Sequence, residues 1–303
     1  MKRRNFIQKT AASTALLSMT GIGLSCSRSS ATKITILHTN DVHSHVEEFG
    51  PNAGPNSNKG GVAKRAALVE SVRKENPNTL LLDAGDIFQG TPYFNFYGGE
   101  LEFKLMSLLK YDVATIGNHD FDNGINGLYA QLPHAKFDFI SANYDFSNTV
   151  MDTHVKPYKT FVKEGVKIGV FGLGIELNGL VNKEAYKETK YLDPVEIAQD
   201  MSRILKTEEQ CDLIICLSHL GYDYETSTSK ISDLRLAKAT QDIDLIIGGH
   251  THTFLDEPTI ETNAVGKKVI VNQVGCYGLY LGKIDFYFEA NQLKESNGSK
   301  LAV

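Results

Sequence analysis

The sequence predicts a mixed α/β fold built in layers. Short apolar runs alternate with helical segments, and the later runs pair as hairpins. Five runs, starting near residues 34, 80, 113, 213 and 244, each end in polar residues. In open α/β sheets ligands gather beyond the carboxyl ends of strands, so those five ends are where chemistry is expected.

Lys33 to Leu37 is the first strand and leads into His38-Thr39-Asn40-Asp41-Val42-His43. Glu47 to Lys59, with Pro51, Gly54 and Pro55, reads as a surface loop. Gly60-Gly61 opens an amphipathic helix to about Lys74, with Val62, Ala66, Val69 and Val72 at helical spacing. After a turn at Pro77-Asn78, Thr79 to Leu82 is a buried strand leading to Asp83-Ala84-Gly85-Asp86. A Gly- and aromatic-rich loop, Phe88 to Gly99, precedes a helix from Glu100 to Leu109 and a strand from Val113 to Ile116. Phe137 to Ala142 is a further strand, and Phe161 to Lys163 pairs with Val166 to Phe171 around Glu164-Gly165. Asp193-Pro194 caps a helix to about Lys206. Strands from Asp212 to Leu217 and Ile243 to Ile247 bracket a helix from Ile231 to Ala239. Lys268 to Val274 and Tyr280 to Phe288 close the main domain, expected over residues 33–290, and residues 291–303 read as a frayed tail.

The chain has 303 residues, 42% of them hydrophobic, with a formal net charge of -5. That suits one large domain or two. The first 26 residues carry Lys2, Arg3, Arg4 and Lys9 without an acid, so removing them leaves about -9. An acidic surface does not point to nucleic acid or an anionic membrane as partner. Residues 1–26 read as an export signal: a basic start, then an apolar stretch from Ala11 to Leu24 too short to span a bilayer. Arg3-Arg4-Asn5-Phe6-Ile7 resembles a twin-arginine signal, and Leu24-Ser25-Cys26 resembles the end of a lipoprotein cleavage box. The expectation is a periplasmic or lipid-anchored protein that meets a membrane only through Cys26, with residues 27–32 as a linker. Cys211, Cys216 and Cys276 form no CxxC pair and read as small core residues, Cys211 and Cys216 on opposite sides of their strand.

The polar strand ends carry Asp41 and His43, then Asp86, then Asn118 with His119, then His219, then His250 and His252. Residues two apart in extended chain face the same way, so Asp41 and His43 can reach one metal, and His250 and His252 can line one side of a two-metal site. Carboxylate, amide and imidazole together suit zinc, manganese or iron. Asp86, alone at its strand end, is the candidate bridge between two ions. In Thr115 to Asp122, Gly117 lets the chain turn, and one helical turn brings Asp122 to His119. His38, His45, His134 and His154 read as structural.

The ordered set Asp41-x-His43, Gly85-Asp86, Gly117-Asn118-His119-Asp120, Ser218-His219 and Gly249-His250-x-His252 resembles the calcineurin-like metallophosphoesterases. Thr39-Asn40-Asp41-x-His43, His219-Leu220-Gly221 and Gly275-x-Tyr277-Gly278-x-Tyr280-Leu281-Gly282 resemble their periplasmic 5′-nucleotidase branch. The resemblance implies a four-layer α-β-β-α sandwich and hydrolysis of phosphate esters at two divalent ions. It assigns Asp41, His43, Asp86 and His252 to one ion, and Asp86, Asn118, His219 and His250 to the other. His119, held by Asp122, would act on the phosphate. Where many relatives carry Thr-x-x-Thr, this chain has Gly174-Ile175-Glu176-Leu177. In 5′-nucleotidases a C-terminal domain supplies the aromatic side chains that hold the nucleobase. This chain is expected to lack that domain, so nucleotide specificity does not carry over with the resemblance; a 5′-nucleotidase-like phosphomonoesterase without it is the leading expectation. A phosphodiesterase or cyclic-nucleotide hydrolase, and a catalytic subunit completed by a separately encoded recognition protein, stand as alternatives. Tyr93, Phe94, Phe96 and Tyr97 could line a substrate wall, although packing is the simpler role.

Overall fold

The computed structural model describes residues 31–225 and 230–303. The expected export signal and Cys26 lie outside these residues. Thr32, placed in the linker by sequence, already belongs to a strand.

The chain runs through β1 (Thr32–Thr39), α1 (Val62–Glu75), β2 (Thr79–Asp83), α2 (Pro92–Tyr97), α3 (Glu100–Leu108), β3 (Val113–Ala114), α4 (Gly124–Gln131), β4 (Asp138–Phe139) and β5 (Tyr144–Asp145). It continues through β6 (Tyr158–Lys163), β7 (Val166–Leu173), α5 (Lys183–Tyr186), β8 (Lys190–Tyr191), α6 (Pro194–Arg203), β9 (Leu213–Ser218), α7 (Asp233–Ala239) and β10 (Leu245–Ile247). β11 (Thr259–Thr262), β12 (Lys268–Asn272), β13 (Tyr280–Glu289) and β14 (Gln292–Ala302) complete it. Two six-stranded sheets form, in the orders β14-β13-β1-β2-β3-β4 and β11-β12-β10-β9-β7-β6, and β5 pairs with β8. β1 to β4 are parallel in the first sheet; β7, β9, β10 and β12 are parallel in the second.

Three apolar layers hold the sheets. Ile34, Ile36, Leu80 and Leu82 of the first sheet meet Val170, Ile215, Leu217 and Ile247 of the second between them. On the outer face of the first sheet, Leu37 and Leu81 pack with Phe103 and Leu128 of α3 and α4. On the outer face of the second, Ile214 and Ile246 pack with Ala198 and Leu236 of α6 and α7. Both faces of the central strands are thus buried, which is why they read as continuous apolar runs. This is the expected four-layer α-β-β-α arrangement.

Local sequence sets the element ends. Asp193 accepts from the backbone N–H groups of Val195 and Glu196 at 2.8 and 3.0 Å and caps α6, with Pro194 in its first turn. Glu164 and Gly165, with φ of 45° and 85°, make the tight turn between β6 and β7.

Several expectations are corrected. The predicted tail after Asn291 is β14, paired antiparallel along β13. Its sequence is polar and mostly exposed, so no apolar periodicity marks it; the backbone ladder along β13, with Leu301 packed against the core, specifies the strand. The predicted loop from Phe88 to Gly99 contains α2, which stops at Gly98 in the left-handed region. α4 carries little helical signal in the sequence, because Gly124 and Gly127 lower its propensity; buried Ile125 and Leu128 hold it in place. The three described cysteines are buried as expected, but Cys211 and Cys216 share the same outer layer, because Cys211 precedes β9 and lies outside its alternation.

Asp83, at the end of β2, is almost wholly buried and accepts from Thr39 Oγ1 at 2.5 Å and from the Gly85 N–H at 2.9 Å. Burial pushes its carboxyl up to about 7 despite these hydrogen bonds. A carboxyl raised in the folded state contributes stability fully below its unfolded value of about 4, and that contribution is lost as pH climbs through about 7. Asp83→Asn should therefore become more stable relative to the parent between about pH 4 and pH 8, by roughly 4 kcal/mol at most. Urea unfolding of both chains across that range checks this, and a stability difference independent of pH contradicts it.

Candidate metal centre

The carboxyl ends of the parallel strands of both sheets face a single depression. β1 delivers Asp41 and His43, β2 delivers Asp86, and the segment after β3 delivers Asn118 and His119. β9 delivers His219, and the loop after β10 delivers His250 and His252. Two groups of donor atoms result: Asp41, His43 and His252 in one, and Asp86, His219 and His250 in the other, with the atoms of each group within 4.8 Å of one another. Asn118 Oδ1 lies 2.8 Å from His250 Nδ1, which places it beside the second group. Asp86 Oδ2 is 3.1 Å from His219 Nε2 and 3.9 Å from His43 Nε2, so this carboxylate stands between the groups. Every residue named from the sequence as a metal ligand lies in this depression. Among the described residues, His38, His45, His134 and His154 join neither group.

The chain reaches this arrangement through unusual backbone. Asp41, His43, Asp86, His250 and His252 have φ of 49°, 50°, 56°, 71° and 51°, a region that costs non-glycine residues about 1–3 kcal/mol each. Side chains behind the site hold these loops. The Asp120 carboxylate accepts from the N–H groups of Gly117, Asp86, Ile87 and Phe88 at 2.8 to 3.1 Å, fixing the turn that carries Asp86. Asn40 donates to Asp41 Oδ2 and to the Gly275 carbonyl, each at 2.6 Å. Gln273 donates to the Gly249 carbonyl at 2.6 Å and accepts from the Thr253 N–H. None of these three is among the donor residues expected from the sequence. Asp120 had a visible signal, since it sits within Gly117-Asn118-His119-Asp120; Gln273 had none, because its partners are distant in sequence.

Gly117 is needed for room, not for a turn. A Cβ there would fall 2.2 Å from Asp86 Oδ1 and 2.7 Å from His219 Cε1. His119 and Asp122 behave as spacing suggested: a short 3₁₀ turn over His119–Phe121 brings His119 Nδ1 to 2.8 Å from Asp122 Oδ2. Of the aromatic loop, Phe94 is buried, Tyr93 Oη donates to Glu47 at 2.7 Å, and Phe96 and Tyr97 stay exposed.

The buried carboxylates favour positive charge between the donor groups. Burial opposes charge on His219, yet Asp86 and Asp41 overcome it and push this imidazole up to about 10. The hydrogen bond to Asp41 and the charge of that carboxylate push His252 up to about 10 as well. Burial instead takes His43 below its ordinary value and His250 down to about 4. Burial also works against ionised Asp86, but His219 keeps its carboxyl well below the usual range. Donor geometry favours a metal over a proton. His219 Nδ1 lies 2.7 Å from the Ala84 carbonyl, which commits the Nδ1 proton, and the fully buried Nε2 faces Asp86 with no hydrogen-bond partner. Two oxygen donors and four imidazoles then converge on a gap suited to divalent first-row ions.

Comparison with known proteins agrees with this geometry. The family model for calcineurin-like phosphoesterase matches residues 34–254. The chain belongs to the calcineurin-like phosphoesterase family. A snake venom 5′-nucleotidase of Crotalus adamanteus is 36% identical over 287 residues, covering 87% of this chain and 47% of that protein. A trifunctional nucleotide phosphoesterase protein of Bacillus subtilis is 32% identical over 302 residues, covering 89% of this chain and 19% of that one. The crystal structure of a 5′-nucleotidase precursor from Thermus thermophilus superposes with a TM-score of 0.81 at 34% identity, covering 90% of this chain and 55% of that one. This family member spans about half the length, or less, of these relatives.

Gly117→Ala should drive Asp86 and His219 apart and cost metal. Metal analysis after dialysis is the check: the variant should retain less manganese or zinc than the parent, and equal retention would refute the close-packing argument.

Proposed function

We propose that this member of the family is a two-metal phosphate-ester hydrolase acting on 5′-nucleotides. One observation carries the reading: two donor groups with Asp86 between them, and the His119–Asp122 pair beside them. The ring of His119 lies 5.3 Å from that of His43, edge to face. Asp41, His43, Asp86 and His252 would hold one divalent ion, and Asp86, Asn118, His219 and His250 the other. Bound there, zinc, manganese or iron would supply Lewis-acid polarisation of the phosphoryl oxygens and a nucleophile available near neutral pH.

The rest belongs to the protein. Asp122 accepts the Nδ1 proton of His119 and fixes the tautomer, so Nε2 is the atom offered to substrate. The hydrogen bond to Asp122, working against burial, raises His119 above its ordinary value, which favours the imidazolium form with a proton on Nε2. That proton can be donated to a phosphoryl oxygen or to the departing oxygen. Exposed edges of His119 and His252, with 38% and 34% of their side-chain surface accessible, leave the depression open to a small substrate. The nucleotide assignment draws support from the 5′-nucleotidases among the relatives.

Purified chain assayed with adenosine 5′-monophosphate, a cyclic nucleotide and an aryl phosphate tests the reading. Monoester hydrolysis should appear with added manganese or zinc, vanish with chelator and return on refilling. Faster diester turnover would favour a phosphodiesterase, and no turnover of any ester would end the proposal. His119→Ala should keep its metal and lose about 10²–10⁴-fold in kcat. Metal loss with normal turnover after refilling would remove His119 from the mechanism. We further propose export by residues 1–26 with lipid attachment at Cys26, on the strength of Arg3-Arg4 and Leu24-Ser25-Cys26. Among the described residues no helix is long and apolar enough to cross a membrane. Lipid labelling that persists in Cys26→Ser would dismiss the anchor.

A further inference from the structure

The loop between β12 and β13 brings an aromatic ring against the first donor group. Tyr277 lies with its ring centroid 5.9 Å from that of His252 and 6.0 Å from that of His43. Outward from it, the His45 ring sits 4.3 Å away, and Phe49 stacks on His45 at 5.2 Å with an interplanar angle of 20°. Phe49 also lies 6.2 Å from Tyr277. The three rings form a continuous wall that starts at the metal ligands and leads away from them.

Core packing does not account for this wall. Tyr277, His45 and Phe49 are half-buried and belong to none of the three apolar layers. Nor is the backbone comfortable: Tyr277 has φ of 61°, a conformation that a ring-bearing residue rarely adopts. Gly275 and Gly278 on either side, with φ of 77° and 63°, make the turn, and the Tyr277 N–H donates to the Asp41 carbonyl at 2.7 Å, pinning the strained residue to the ligand loop. Asn or Gly would sit at such a position with less strain. Strain of this kind, next to a reactive centre, marks a side chain kept for what it contacts.

We propose that Tyr277, with His45 and Phe49, forms the subsite for the leaving group, and that this subsite selects esters whose leaving group carries a flat aromatic ring, a nucleobase or an aryl group. The proposal rests on the phosphate-ester reading of the adjoining centre. A phosphate seated between the donor groups places the rest of its ester within reach of the wall. A planar ring can then stack on these side chains whatever its hydrogen-bonding edge, so the subsite tolerates different bases. An ester of a sugar without a base gains nothing there.

Steady-state kinetics of the full chain loaded with manganese, on adenosine 5′-monophosphate and on ribose 5-phosphate, test this. Tyr277→Ala should raise KM for the nucleotide about tenfold more than KM for ribose 5-phosphate, and Tyr277→Phe should restore the parent ratio. Phe49→Ala, which is farther from the ligands, should shift the ratio in the same direction by a smaller factor and guards against a misfolded Tyr277→Ala. If both variants change the two KM values in parallel, or change neither, the subsite assignment is wrong while the hydrolase stands. If the loaded parent turns over neither ester, the monoester reading fails and this one with it.

Discussion

Two buried carboxylates, Asp41 and Asp86, set the terms for the whole depression. Neither meets an Arg or Lys side chain within ion-pair distance among the described residues; what surrounds them is imidazole. Charge in such a dry place must be balanced locally, because an isolated buried carboxylate is very costly. Protons on His219 and His252 can balance it in part. Divalent ions balance it better, since they satisfy the unpartnered Nε2 of His219 and the two opposed Nε2 atoms of His43 and His252, 3.0 Å apart.

From that requirement follow the features that look expensive. Five ligand residues hold left-handed backbone, and the strain persists because a rigid frame imposes it. The frame is the pair of sheets, whose inner layer is dry and aliphatic. Onto it Asp120 ties the Asp86 turn, Asn40 ties Asp41 to the loop after β12, and Gln273 ties the two histidines of the loop after β10. Each tie joins loops that are distant in sequence, so the ligands hold their places through the sandwich more than through their own segments. His119, His252 and Tyr277 are each half-buried, and the Tyr277 ring lies 5.9 Å from that of His252, so the ring wall adjoins the donor groups.

Much of this was legible because ligand spacing is a local property. Asp41 and His43 two apart, His250 and His252 two apart, and Asp122 three beyond His119 each encode a geometry that the backbone converts directly into proximity. The buried strands were equally plain as apolar runs. What stayed hidden depended on partners: β14 has a polar sequence and exists by pairing with β13, and the ring wall unites residues 45, 49 and 277.

By itself the sequence determined the donor types, their order along the chain, and strands that must be covered on both faces, because composition and short-range periodicity are written in consecutive residues. Only the tertiary structure decided that the two sheets present their strand ends to the same depression, which carboxylate stands between the donor groups, and that Gly117 is a glycine for lack of space. Those outcomes turn on distances of a few ångströms between segments far apart in the chain, 209 residues in the case of Asp41 and His250, and contacts at that separation leave no periodic trace in the chain.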